Sequence, residues 1–206
     1  MNSKKIIENI TDWLINYSEK SNTNGFVVGV SGGVDSAVTS TLCAKTGLPT
    51  LCLDLPILQS KKEHNRAIKH IDWLKNKYKN TSLKSINLNE SFLSFKNSVE
   101  IDSNKNNLLS LANSRSRLRM TTLYYYAGLN NYIVVGTGNK VEDFGVGFYT
   151  KYGDGGVDIS PIADCTKTQV WEMGKYLGIS KDIINAEPTD GLWEDGRSDV
   201  KQLGMT

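Results

Sequence analysis

Phe26-Val27-Val28-Gly29-Val30-Ser31-Gly32-Gly33-Val34-Asp35-Ser36 opens on an apolar run, turns through two adjacent glycines and leaves through Asp and Ser. Residues 26–30 read as a short buried strand, and 36–45 as a helix stopped by Gly47. Between them, glycines permit unusual backbone angles and let main-chain N–H groups approach an anion closely. The helix N-terminus adds its partial positive charge. Ser31 and Ser36 offer hydroxyl donors. Asp35 would be repelled by bare phosphate, so its presence implies a Mg²⁺ ion between carboxylate and phosphates. A Walker A loop is excluded, because no Lys-Ser/Thr pair follows the last glycine. The dinucleotide pattern GxGxxG is excluded by the spacing of Gly29, Gly32 and Gly33. An ordinary capped Gly-Ser turn would explain part of this string but not all of it.

Outward from the loop, strands and helices alternate. Ile6, Ile7, Ile10, Trp13, Leu14 and Tyr17 recur at helical spacing, which predicts an opening amphipathic helix. Further strands are expected at 50–53, 83–88 and 132–136. A charged helix is expected over 60–79 with Ile68, Ile71 and Leu74 inward, a loop over 98–107, and a long helix over 108–130. Continuous apolar strands separated by helices specify an α/β fold, a doubly wound parallel sheet with helices on both faces. Ligands of such folds collect at the carboxyl ends of the strands. Glycine-rich stretches begin at two predicted strand ends, Ser31 and Gly136, which points to one shared site.

The 206 residues form one domain by size, and a net charge of +2 gives no support for a broad nucleic-acid or membrane-binding surface, leaving room for a local basic site. Cys43, Cys52 and Cys165 form no CxxC pair, and Cys43 and Cys52 read as core residues. His64 and His70 lie in a Lys-rich stretch and read as solvent-facing. The polar N-terminus and the absence of a long apolar run fit a cytoplasmic protein.

In Gly136-Thr137-Gly138-Asn139-Lys140-Val141-Glu142, Glu142 can supply a second carboxylate to Mg²⁺ and Thr137 can touch a nucleotide. A capping Thr and a solvated Glu are the plain alternative. In 148–161, two adjacent glycines are framed by Tyr152 and Pro161 and accompanied by Lys151, Asp154 and Asp158. A solvated loop explains the charges but not the glycines. Arg115, Arg117 and Arg119 share the long helix, and a basic solvated face suits Arg115 better than Arg117.

The loop 29–36 resembles the PP-loop of the ATP pyrophosphatases, which adenylate a substrate and release pyrophosphate. Within that superfamily, Lys151-Tyr152-Gly153-Asp154-Gly155-Gly156-Val157-Asp158 resembles a segment of the NAD synthetases. Asn113-Ser114-Arg115-Ser116-Arg117-Leu118-Arg119-Met120 is similar to that family's Asn-x-Lys-Ala-Arg-x-Arg-Met. The likeness covers essentially the whole chain and implies an adenine nucleotide alpha hydrolase-like fold. It implies ATP held by Gly29, Val30, Ser31, Gly32, Gly33, Val34, Asp35, Ser36, Thr137, Lys167 and Thr189. It also implies Mg²⁺ on Asp35 and Glu142, deamido-NAD on Arg117, Lys151 and Asp158, and catalytic charge from Asp35 and Lys167.

The implied reaction is amidation of deamido-NAD through an adenylate, with free ammonia, in a homodimer. The spacing from Glu142 to Lys151 is one residue longer than the family pattern, which leaves Asp143 as the alternative ligand. The family's C-terminal His-Lys pair has no counterpart before Thr206, so a shortened enzyme or an ATP-binding remnant without turnover stays open. So does another PP-loop enzyme, GMP synthetase-like or tRNA-modifying.

Overall fold

The structure, a computed structural model, describes residues 2–59, 61–101 and 107–186. Four parallel strands, β1 (Phe26–Gly29), β2 (Thr50–Asp54), β3 (Thr81–Ser85) and β4 (Ile133–Val135), pair in the order β3-β2-β1-β4. The chain builds outward from β1 to β3, then crosses back to lay β4 on the other side of β1. That reversal opens a crevice beyond the carboxyl ends of β1 and β4, where doubly wound sheets bind ligands.

Both sheet faces are apolar because successive side chains point to opposite sides. Phe26, Val28, Ile133 and Val135 face one layer, where α1 (Ser3–Lys20), α2 (Val34–Lys45) and α6 (Lys167–Leu177) pack around Leu14, Leu42 and Met173. Val27, Leu51, Leu53 and Val134 face the other, with α4 (Asn89–Ser98) and α5 (Asn107–Asn130) contributing Phe92 and Ala127. Cys52 faces α3 (Lys61–Lys77), which brings Ala67, Ile71 and Leu74. The short α7 (Lys181–Ile184) closes the described chain. Among the described residues, no helix is long and apolar enough to cross a membrane.

Several expectations are corrected. α1 buries Ile7, Thr11, Leu14 and Ser18, while Trp13 and Tyr17 are exposed. β3 begins and ends earlier than expected, because Thr81 to Ser85 is the stretch in register with β2. α4 occupies polar sequence for which no helix was expected, anchored by the single buried side chain of Phe92. Arg115 is buried, its guanidinium 4.8 Å from the centre of the Phe92 ring, and Arg117 is the exposed one.

Neither histidine is simply solvent-facing. The His64 Nδ1 lies 3.1 Å from the Asp54 carboxylate. His70 is 3% exposed, and its Nε2 lies 3.1 Å from the Ser40 hydroxyl, tying α3 to α2. Burial pushes His70 down to about 4, only partly offset by a hydrogen bond involving the Ala37 backbone. A histidine lowered in the fold favours the neutral form, so its contribution is complete above the ordinary value and is lost as pH falls from about 6.5 towards 4. The loss at pH 4 is on the order of 3 kcal/mol. His70→Gln should therefore flatten the acid limb of a stability-against-pH curve from denaturant unfolding; an unchanged slope would contradict this role.

Candidate active site

The loop after β1 does what its glycines suggest. Gly32 takes a φ of 85°, a left-handed conformation that favours glycine. Around it, the Ser36 hydroxyl donates to the Gly33 carbonyl at 3.0 Å and accepts from the Ser31 backbone N–H at 3.2 Å. Asp35 then falls in the first turn of α2, where a negative charge suits the helix dipole. Gly29, Val30, Ser31, Gly33, Val34, Asp35 and Ser36 line a cleft that Gly136, Thr137, Glu142 and Lys167 also line. The two glycine-rich stretches therefore form one site.

After β4 the chain makes a π-helical turn, Lys140–Gly145, in which the Val146 N–H donates to the Val141 carbonyl at 3.0 Å. An i→i+5 closure takes up one residue more than an α-turn between the same ends. The wide turn aims Glu142 at Lys167, while Asp143 packs against Gly138, where a methyl group would overlap its carboxylate.

Four side chains close a ring. Lys167 Nζ lies 2.5 Å from Asp35 Oδ2 and 2.8 Å from Glu142 Oε1. Asn139 Nδ2 donates to Asp35 Oδ1 at 3.3 Å and to Glu142 Oε2 at 2.7 Å. Lys167 is the first residue of α6, held by a capping box of Thr166 and Gln169. A cation there opposes the helix dipole, so its placement is explained by the carboxylates it reaches.

The ring is short of positive charge. Burial raises Asp35 above the usual carboxylate range; Lys167 and Asn139 lower it only partly, and the Glu142 charge adds to the rise. Burial would lower Lys167, but the charges and hydrogen bonds of Asp35 and Glu142 outweigh it and raise the ammonium. Asp143 is pushed up to about 7, first by burial and then by Asp154, Glu142 and Asp35.

Two carboxylates on one ammonium, beside a phosphate-type loop, are an oxygen donor pair suited to Mg²⁺ whose other ligands arrive with a nucleotide. Among the described residues no group of three or more His, Cys, Asp or Glu side chains could hold a metal alone. The donor set therefore fits a shared metal, held jointly by protein and phosphates.

The second motif pair also converges. Ser116 Oγ donates to Asp154 Oδ1 at 2.7 Å and accepts from the Asp154 N–H at 2.8 Å, while Thr150 Oγ1 donates to Asn113 at 2.8 Å. Arg117 Nε donates to the Lys151 carbonyl at 3.1 Å, and Lys151 Nζ sits 5.0 Å from the centre of the Tyr152 ring. Asp158 is engaged locally, accepting from the Val134 N–H and the Tyr124 hydroxyl, each at 2.8 Å. Arg117 and Lys151 thus meet, Asp158 is held by Val134 and Tyr124, and none of the three is among the residues that line the cleft. Thr189 lies outside the described residues.

Two residues at the site escaped sequence reasoning, one lining the cleft and one buried behind it. Arg66, on the charged helix α3, lines the cleft and donates from Nε to the Gly32 carbonyl at 3.2 Å. Asn139 is fully buried. Its position three residues before Glu142 carried a capping signal, but nothing local showed what its amide reaches.

Known proteins resemble this chain in sequence and fold. The family model described as NAD synthase matches residues 6–206. The NH(3)-dependent NAD(+) synthetase of Carboxydothermus hydrogenoformans is 41% identical over 212 residues, covering 100% of this chain and 83% of that protein. The enzyme of the same description from Mesoplasma florum is 38% identical, covering 100% and 82%. Among solved structures, the NMN synthetase of Francisella tularensis superposes with a TM-score of 0.90 at 36% identity, covering 100% of this chain and 83% of that one. The NH3-dependent NAD synthetase of Campylobacter jejuni gives 0.80 at 31%, covering 90% and 77%. With its phosphate-type loop, its carboxylate pair and this similarity along its whole length, the chain belongs to the NAD synthase family.

Proposed function

We propose that this chain uses ATP to amidate the nicotinate carboxylate of deamido-NAD, with ammonia as the nitrogen donor. A nicotinate oxygen attacks the α-phosphorus of ATP, the bond to the β-phosphate oxygen breaks, and pyrophosphate leaves. Ammonia then attacks the activated carbonyl carbon, loses a proton, and AMP departs to leave the amide of NAD. No side chain need act as a nucleophile; positioning and charge supply the catalysis.

The observation that carries this reading is the Asp35–Lys167–Glu142–Asn139 ring facing the loop 29–36. In it, Gly29 to Ser36 and Thr137 hold ATP, and Arg66 adds a guanidinium beside the loop. Lys167 meets the charge that develops on the phosphates. Asp35 and Glu142 hold Mg²⁺, which would neutralise the leaving pyrophosphate. Arg117, Lys151 and Asp158 hold deamido-NAD. The exposed side chains Tyr125 and Leu129 on α5 give a second copy of the chain an apolar face, so sizing should return twice the chain mass.

A second reading has one specific support, the match to a protein described as an NMN synthetase. It would place nicotinate mononucleotide where the first places deamido-NAD. Comparing kcat/KM for the two acids, with ammonium and ATP saturating, separates them. We expect deamido-NAD to be favoured by at least about tenfold, the discrimination of one or two added contacts; the opposite ratio would transfer the assignment.

A further inference from the structure

We propose that Asn139 is the positioning residue of the carboxylate pair, holding Asp35 and Glu142 at the separation a shared cation needs. This rests on reading those two carboxylates as Mg²⁺ ligands. Asn139 is 0% exposed. Its Oδ1 accepts from the Val141 and Glu142 N–H groups at 3.0 and 3.2 Å, capping the π-helical turn. Its Nδ2 spends both protons on Asp35 and Glu142. The orientation of the amide is fixed by its surroundings, because one end faces two donors and the other two acceptors.

Capping alone does not call for asparagine. Asp and Ser cap equally well, but Asp would turn a third negative oxygen towards the two carboxylates. Ser carries no second group to reach them. Only an amide caps with one end and donates with the other. The same residue thus couples the start of the turn after β4 to the first turn of α2, two segments that meet only at the carboxyl ends of β4 and β1. Each carboxylate keeps one oxygen on Asn139 and the other on Lys167, so Asn139 fixes their orientation whether or not the ammonium is displaced. Hydrogen-bonding partners of metal ligands commonly change metal affinity by about 10–100-fold when removed.

Asn139→Ser separates the two roles, keeping the cap and losing the bridge. The probe is Mn²⁺, read by electron paramagnetic resonance in the presence of α,β-methylene-ATP, with thermal unfolding as the check of fold. We expect cooperative unfolding, an unchanged affinity for the nucleotide analogue without metal, and a Mn²⁺ half-saturation raised about 10–100-fold. Asp35→Asn serves as the control for the metal assignment.

If Asp35→Asn weakens Mn²⁺ and folded Asn139→Ser does not, Asn139 is only a cap and the inference fails while the metal assignment stands. If neither weakens it, the metal assignment fails and the inference falls with it. Should Asn139→Ser not fold, Asn139→Thr also keeps the cap and loses the bridge without adding charge. A tenfold or larger change of half-saturation there supports the bridge, and a wild-type value overturns it.

Discussion

Asp35→Asn lowers the turnover number by about a thousandfold or more, read as AMP and pyrophosphate release at saturating ATP and Mg²⁺. The substitution is isosteric and leaves Lys167 its contact with Glu142. What it removes is a half-buried negative charge at the first turn of α2, the group proposed to bring a cation to the phosphates. The fold does not depend on that charge. Burial already raises the Asp35 carboxyl, so the ionised form is held against its desolvation cost. The thermal midpoint should therefore stay level or rise slightly, the pattern of a group kept for function rather than stability. Near-normal turnover, or loss of turnover together with unfolding, would contradict the assignment.

Lys167→Met has the second largest effect, and unlike the first it damages both rate and stability. Losing one preorganised charge at a reacting group costs about 10²–10³ in the turnover number. It also leaves Asp35 and Glu142 facing each other with only the Asn139 amide between them. Breaking a fully buried pair costs about 3–5 kcal/mol; these side chains are 16–22% exposed, so a loss of about 1–3 kcal/mol is expected.

The pH dependence carries the sign. Without the ammonium that lowers it, the Asp35 carboxyl rises further in the folded state, so the deficit is present at neutral pH and shrinks as acid protonates it. Denaturant unfolding at pH 7.5 and pH 5 checks this. An equal deficit at both would mean that Lys167 acts through packing, and an unchanged turnover number would remove it from catalysis.

The fold was largely legible because its signals are local. Phe26 to Ser36 encodes a strand, a turn and a helix within eleven consecutive residues, and the glycines at 32, 33, 136 and 138 mark both strand ends. The candidate site was legible where residue type alone constrains the chemistry, as with a carboxylate in a phosphate-type loop. What escaped depends on tertiary partners. His70 and Arg115 carry polar labels but are buried, because Ser40 lies opposite one and the Phe92 ring opposite the other.

Counting could not say whether Glu142 or Asp143 meets Lys167, since that depends on whether the turn closes at i+4 or i+5. Arg66 reads as one more charge on a basic helix until α3 is laid beside Gly32. The opening helix shows the opposite error. Trp13 and Tyr17 have the right spacing and the wrong side, while the small residues Thr11 and Ser18 take the inner positions. Apolar periodicity cannot tell a large exposed aromatic from a core residue when polar side chains can bond the backbone, as Thr11 does to the Ile7 carbonyl at 2.7 Å.

The account stands or falls on one coupled assay with pure protein, ATP, Mg²⁺, deamido-NAD and ammonium. It predicts NAD and AMP appearing together in equal amounts, pyrophosphate matching them, and no NAD when glutamine replaces ammonium. AMP without NAD, ADP in place of AMP, or equal turnover with glutamine alone would contradict it.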